Sequence, residues 1–504
     1  MLIILFYLCT YLGDNNLQVM QVIYKILITI IYTNIFIFYC MFQYRICSLF
    51  IASSCAFLIF LTFYLESYRT SYSIDKSKVS KQKFLRLLEQ RNRNTNINGY
   101  NGNIFNINVD YNYNYSNDYN RTFSRFLQEI SKFSFISLYN ALNSKLISKF
   151  NQDLYLILKV LSRYIIKEPL IPINKSCVPP PLLNQSDINC SAYQFAFNGK
   201  KHKSPVRVAH LIQFGFDVDV LEIQLRELHD VVDYIFIIES TRTHLFQNRK
   251  ILAWEQVRNQ ERFEIFSAKV VHLTLDDVES MPDNSKNIWD LERRQEKRRW
   301  ERFLIWNLKT NYFHDDDIVG FGDTDEIASR HTIHLLKHCQ VSGPVDIGIW
   351  FIFGTINSAF KTDHPVKGNE YTLGDPTFWP LRNAKEYRGV PSRMRGKSGK
   401  YLLGGMHMTS YPYLPFLIIK FLTCTECNLL MNLWKDVDKL IKHGTIYELE
   451  TYFAKLQQQM FLKRITTIDK VELKLKHARV LPWFYSCNQD RYGYWEKKHD
   501  TRLD

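Results

Sequence analysis

A strongly basic chain often binds nucleic acid, but the usual signs of that are missing here. The formal net charge is +14, yet no zinc-finger spacing and no RNA-recognition signature accompanies it. The charge still fits an anionic partner such as a nucleoside diphosphate, a nucleic acid or a lipid surface, the alternative being a basic background from biased gene composition. No segment of roughly 20–50 residues repeats, which excludes solenoids and propellers. No small-residue cleavage site follows the apolar N-terminal runs, which argues for a retained anchor over a removed signal peptide. Cys424-Thr-Glu-Cys427 has the spacing of half a zinc site. No second Cys-x-x-Cys or His pair completes it, which argues against zinc.

What is present points to a membrane-tethered globular protein. The chain has 504 residues, 46% of them hydrophobic, enough for one large domain or two ordinary ones. Residues 46–65 are uncharged and mostly apolar, long enough to cross a hydrocarbon core as a helix. Residues 22–42 form a second apolar run, interrupted by Lys25. Orientation is argued both ways. Arg69, Lys76, Lys78, Lys81 and Lys83 follow the anchor and would hold that side in the cytosol. Asn-x-Ser/Thr sequences at Asn114, Asn120, Asn174, Asn184 and Asn189 argue for a lumenal body. Six cysteines lie beyond the apolar runs, an even number suited to an oxidising lumen. Of these, Cys177 and Cys190 bracket a short loop and are the expected bridge.

Three regions follow from composition. Residues 1–66 are the apolar anchor region. Residues 67–205 are a stem with an Asn-rich, structureless segment at 91–120, a helical stretch at 123–166 and a Pro-, Asn- and Ser-rich linker. Residues 206–504 are the folded body. There, short apolar runs at 206–214, 234–238, 269–275, 318–321 and 345–353 read as strands. Amphipathic stretches at 218–228, 288–308 and 326–338 read as helices between them, with Asp217 or Asp219 capping the first. Alternation of this kind implies an α/β fold with a mainly parallel sheet.

The chemistry concentrates in Asp317-Ile-Val-Gly-Phe-Gly-Asp-Thr-Asp-Glu-Ile327. A buried strand delivers Asp323 and Asp325 to its carboxyl end, where open α/β sheets bind ligands. Two carboxylates there suit a divalent cation whose other ligands are waters and substrate phosphates. A solvated acidic turn is the alternative for Asp-x-Asp by itself. Glu239-Ser240 ends an earlier strand, a place where an acid binds ribose hydroxyls or, alternatively, caps a turn. Arg298 and Arg299 precede the Asp-x-Asp strand; one is a candidate diphosphate contact, the alternative being a solvated basic face.

Asp219-x-Leu221-Glu222-Ile223-x-Leu225-x-Glu227-Leu228, Val231-Val232-Asp233 and Glu239-Ser240 look like the opening block of glycosyltransferase family 17, which the chain resembles. Trp289, Glu292, Gln295 and Arg298-Arg299, running into Asp316-Asp317-Ile318-Val319 and Asp323-Thr324-Asp325-Glu326-Ile327, look like its second. Gly404-Gly405-Met406-His407 resembles a Gly-x-His element. The resemblance spans residues 206–492. The chain departs from the family at Met406, where Trp is usual, and at Ala328, where Pro is common. The cysteine pair that often follows the histidine lies well downstream here. These departures bear on acceptor specificity more than on donor chemistry.

The resemblance implies a GT-A type, Rossmann-like nucleotide-sugar domain that transfers N-acetylglucosamine from UDP-GlcNAc with inversion. It further implies β-1,4 linkage to the β-linked mannose of an N-glycan core, in a single-pass type II Golgi membrane protein with a lumenal catalytic domain. Asp323 and Asp325 would hold the metal, Mn²⁺ by expectation, with Asp325 closer. Glu239, Ser240, Arg298, Arg299 and His407 would contact the nucleotide sugar. Inversion needs a general base for the acceptor hydroxyl. Glu370 and Asp375, in an aromatic-flanked loop at 368–376, are the candidates. The competing readings are another metal-dependent UDP-sugar transferase and a catalytically silent membrane lectin.

Overall fold

Alternate residues of the first strands face opposite ways, and both directions are apolar. The computed structural model describes residues 125–496, apart from 170, 245–247, 277–288, 354, 368, 409–412, 424–432, 446–447, 454–464 and 468–480. All belong to one compact unit, Tyr113–Asp504. The anchor runs, the Asn-rich segment, Asn114, Asn120, Cys424 and Cys427 lie outside the described residues. Among the described residues no helix is long and apolar enough to cross a membrane.

The elements, in chain order, begin with helices α1 (Phe135–Asn143) and α2 (Ile147–Ile165). Then come β1 (Val208–Phe214), α3 (Val218–Leu228), β2 (Tyr234–Ser240), β3 (Val270–Leu275) and α4 (Asp290–Thr310). Next are β4 (Ile318–Asp323), β5 (Glu326–Ala328), α5 (Arg330–His338), β6 (Val345–Phe353) and β7 (Thr355–Phe360). The rest are β8 (Pro365–Val366), β9 (Asn369–Pro380), α6 (Leu381–Glu386), β10 (Tyr401–His407), α7 (Leu414–Thr423), α8 (Trp434–His443), β11 (Ile465–Thr467) and α9 (Trp483–Cys487).

The sheet runs β3-β2-β1-β4-β9-β6-β7-β11, with β10 beside β6, β5 beside β10 and β8 beside β9. The strand period of two assigns its faces. Val208, Ile212, Ile235, Ile237 and Ile318 enter one core with α3 and α5. Ala209, Leu211, Phe236, Ile238, Val319 and Phe321 enter another with Leu291, Trp300 and Phe303 of α4. Each buried ring or branched side chain contributes ~2–3 kcal/mol, so two filled faces hold the sheet between helices.

The mainly parallel reading is corrected to a mixed sheet. Among the described residues, β1–β2, β2–β3, β1–β4 and β6–β10 are parallel and the other six ladders are antiparallel. The cause is β9, inserted antiparallel between β4 and β6. Its residues 369–376 had read as a loop because Gly374 and Asp375-Pro376 are turn formers. Gly320 makes room for it: a Cβ there would lie 2.3 Å from the Phe378 ring.

Two further expectations change. The helix read from Glu326 begins instead at Arg330, because Glu326–Ala328 pair with β10 and Ser329 Oγ caps the helix through Thr332 N. The Cys177–Cys190 bridge is replaced by Cys177–Cys487 and Cys190–Cys339, with Cα separations of 5.9 and 5.6 Å. Closeness in sequence did not translate into closeness in space, because Cys177 is bonded to Cys487 at the end of α9 and Cys190 to Cys339 at the end of α5. The helical stretch at 123–166 forms α1 and α2, whose apolar faces join the first core. Asp438 of α8 fastens α1 by accepting from Phe135 N at 2.6 Å and Ile136 N at 3.3 Å.

Candidate active site

A cavity of about 190 Å³ opens at the carboxyl ends of β1, β2 and β4. Asp217 follows β1, Ser240 ends β2, and Asp323, Thr324 and Asp325 end β4; Phe416, Ile419 and Lys420 of α7 form the far wall. Parallel strands whose helices return on opposite faces leave such a crevice at this edge.

The Asp-x-Asp turn is pinned from several sides. Thr324 donates to Gln213 O from its backbone N at 3.2 Å and from Oγ1 at 2.9 Å. Gln224 of α3 donates to Glu326 O at 3.2 Å. Asp323 N donates to Glu326 Oε2 at 2.9 Å, and Met408 N donates to Asp325 O at 2.7 Å. Asp325 is thereby held with Oδ1 3.8 Å from His407 Nε2 and Oδ2 3.8 Å from Lys420 Nζ.

Two glycines bring His407 there. Gly404 and Gly405 have φ of +148° and +127°, and β10 shifts register against β6 between Leu403 and Met406. A Cβ on Gly405 would lie 2.2 Å from Ile327 O. Only glycine combines that torsion with that approach. Burial lowers the His407 imidazole to about 4, against the pull of Asp325, so the ring is neutral at pH 7.

Beside the cavity lies a buried charge cluster that sequence reading missed. Arg393 pairs with Glu292 and Glu296 of α4 at 3.2 Å each, with Glu326 at 2.9 Å, and with Asp323. Burial opposes its charge, but Asp323, Glu326 and Glu296 hold its pKa well above the usual value. Burial pushes Glu326 well up and raises Asp375 to about 7, with Arg393 opposing both shifts. Asp217, at the N-cap of α3 but making no side-chain capping bond, is raised to about 7 by burial and then by Asp325. Neither Asp217 nor Arg393 stands in a motif; their partners come from other elements.

The remaining candidates are placed as follows. Glu239 is buried under the cavity floor, where it accepts from Ala253 N at 2.6 Å and Lys250 Nζ at 3.0 Å. Its carboxylate therefore caps the short helix Ala253–Val257, the alternative role foreseen for it. Ser240 lines the cavity and accepts from Arg242 N at 3.1 Å. Arg299 is fully buried and donates to Gly322 O at 3.0 Å, while Arg298 lies on the outer face of α4, 2.8 Å from Glu301. Asp375 is buried near Asp323 and accepts from Arg395 N at 3.2 Å. Glu370 is exposed and paired with Lys361. The two stand five positions apart on β9, roughly 17 Å along an extended strand.

Among the described residues, no three or more His, Cys, Asp or Glu side chains form a self-sufficient metal cluster. The carboxylates do fit a cation that brings oxygen ligands with its substrate. Asp323 Oδ1 is buried without a hydrogen-bond partner, and Asp217 is raised in part by the charges of Asp325 and Asp323.

The model of glycosyltransferase family 17 matches residues 182–347. Over that stretch the chain is similar to the glycosyltransferases of family 17. No curated protein matches the chain. The matched stretch holds Asp217, Glu239, Arg299, Asp323 and Asp325 and ends within β6, so Asp375, Arg393 and His407 lie beyond it. The similarity supports glycosyl transfer in general.

Proposed function

We propose that this chain transfers N-acetylglucosamine from UDP-GlcNAc, with inversion, to the β-linked mannose of an N-glycan core in β-1,4 linkage. The observation that carries the donor half is the meeting of Asp323 and Asp325 in one cavity at the carboxyl edge of β1, β2 and β4. The β3-β2-β1-β4 half of the sheet, parallel throughout, supports a GT-A type nucleotide-binding domain. Acceptor and linkage rest on the family resemblance.

Asp325 would hold the divalent ion, Mn²⁺ in our reading, with Asp323 behind it, tied to Arg393. The ion, when bound, neutralises charge on the departing diphosphate. Lys420, beside Asp325, adds a second positive group facing the same space. Neutral His407 buttresses Asp325 without competing for its charge. Gln213, Gln295 and His244 join in a polar cluster at 2.7–2.8 Å along the cavity wall, suited to a base or ribose. Asp375 is the proposed general base. Its carboxyl is raised to about 7, near the working pH a base needs. Glu370 is not, because it is exposed and paired with Lys361.

We further propose a membrane-anchored, type II arrangement with this body in the Golgi lumen. The two disulfides support it, since such bonds persist in oxidising compartments. The activity test is incubation with labelled UDP-GlcNAc and a defined biantennary N-glycan. Transfer by the wild type and loss of about a hundredfold or more in Asp325→Ala is the expected result. Transfer that Asp325→Ala leaves intact contradicts the assignment.

A further inference from the structure

Residues 174–191 contain three Asn-x-Ser sequences that sugar transfer does not use: Asn174-Lys-Ser176, Asn184-Gln-Ser186 and Asn189-Cys-Ser191. Such a sequence means little by itself. It becomes a modification site when the asparagine is at the surface of a chain that folds in a secretory lumen. Both conditions leave marks here. All three asparagines are exposed. The segment is fastened at Cys177 to Cys487 and at Cys190 to Cys339, and paired cysteines of this kind are rare in the cytosol.

Local geometry separates the three. Asn174 Oδ1 accepts from Ser176 N at 3.1 Å and Ser176 Oγ at 2.7 Å. Asn189 Oδ1 accepts from Ser191 N at 3.1 Å. Both side chains thus close Asx turns through their oxygen, and Nδ2 takes no part in the turn. Asn184 differs, since its Nδ2 donates to Asp187 Oδ2 at 3.0 Å.

We propose that Asn174 and Asn189 are N-glycosylation sites. In the transfer, a bond forms between Nδ2 and C1 of an oligosaccharide carried on a lipid diphosphate. The C1–O bond to the diphosphate breaks, the diphosphate leaves with the electron pair, and Nδ2 loses one proton. The catalyst is the host's lumenal oligosaccharyltransferase. The folded chain has room for the product at both places. Near Asn189, His202 N donates to His338 O and Val206 N to Lys337 O, which sets the following segment along the end of α5 and the start of β1. That is the sheet edge opposite the cavity. Asn174 N donates to Asn488 Oδ1 at 2.9 Å, just past α9. Sugars at these positions add bulk and solubility without covering the donor cavity.

The test uses the full chain isolated from a eukaryotic cell. Cysteine pairing is mapped on non-reduced peptides, and the same sample is treated with peptide N-glycosidase, which leaves Asp where a glycan was attached. We expect both disulfides, Asp at positions 174 and 189, and loss of one mobility step in each of Asn174→Gln and Asn189→Gln. Either asparagine found unmodified in disulfide-bonded chain overturns its assignment. A chain with neither disulfides nor glycans overturns both. These outcomes leave the sugar-transfer reading standing, since UDP binding tests that separately.

Discussion

His407 Nε2 lies 3.8 Å from Asp325 Oδ1, and the approach depends on backbone that only glycine adopts. Gly405→Ala would place a methyl 2.2 Å from Ile327 O at a φ of +127°. Torsional strain and overlap together should lower unfolding stability by ~2 kcal/mol or more. Urea denaturation measures this, and the same variant should lose transfer activity because β10 can no longer present His407. An Ala variant with unchanged midpoint and activity would show that the bulge is incidental.

Arg393 is the next test. Replacing it by Met strands Glu292, Glu296, Asp323 and Glu326 without their common counter-ion. Breaking one partner out of a buried ionic cluster costs ~3–5 kcal/mol. Arg393→Lys should recover only part of the loss, because an ammonium cannot fork toward four carboxylates. Equal stability of wild type and Arg393→Met would remove the cluster from the account.

Asp217 makes stability depend on pH in a defined direction. Its carboxyl titrates near 7 in the folded chain against an ordinary value of 3.8. Between those values the unfolded chain is ionised there and the folded chain protonated, so folding takes up a proton and stability falls as pH rises. Asp217→Asn removes that cost. Its stability advantage over wild type should grow by about 1.4 kcal/mol per pH unit from roughly pH 4 to 7, then level off. An advantage that is the same at pH 5 and pH 7 contradicts the assignment.

The two candidate bases separate cleanly. Asp375→Asn should reduce kcat by about a hundredfold or more while UDP affinity stays unchanged. Glu370→Gln should behave as wild type, since Glu370 is exposed and held by Lys361. A reversal of these two results would move the chemistry to the other end of β9.

Asp-x-Asp was legible because a buried strand and the polar turn after it are contiguous, and contiguous apolar runs reveal strands. The β1 to β4 order was legible for the same reason, and α4 appeared at 290–310 close to its expected 288–308. Antiparallel β9 was not, because its Gly374 and Asp375-Pro376 carry turn chemistry that pairing with β6 and β4 overrides. Arg393 was invisible: its carboxylate partners stand 67 to 101 positions away, and nothing in its own neighbourhood marks it. Glu239 shows the opposite failure. A motif position suited to ribose is spent on a helix cap and a lysine, a choice set by residues 250–254.

The most direct test of the central claim is the affinity for UDP with and without Mn²⁺, measured by calorimetry on wild type and Asp325→Ala. Mn²⁺ should tighten UDP binding to the wild type and leave the variant unaffected. If Mn²⁺ fails to alter UDP affinity in the wild type, or tightens it equally in the variant, then Asp325 does not hold the ion.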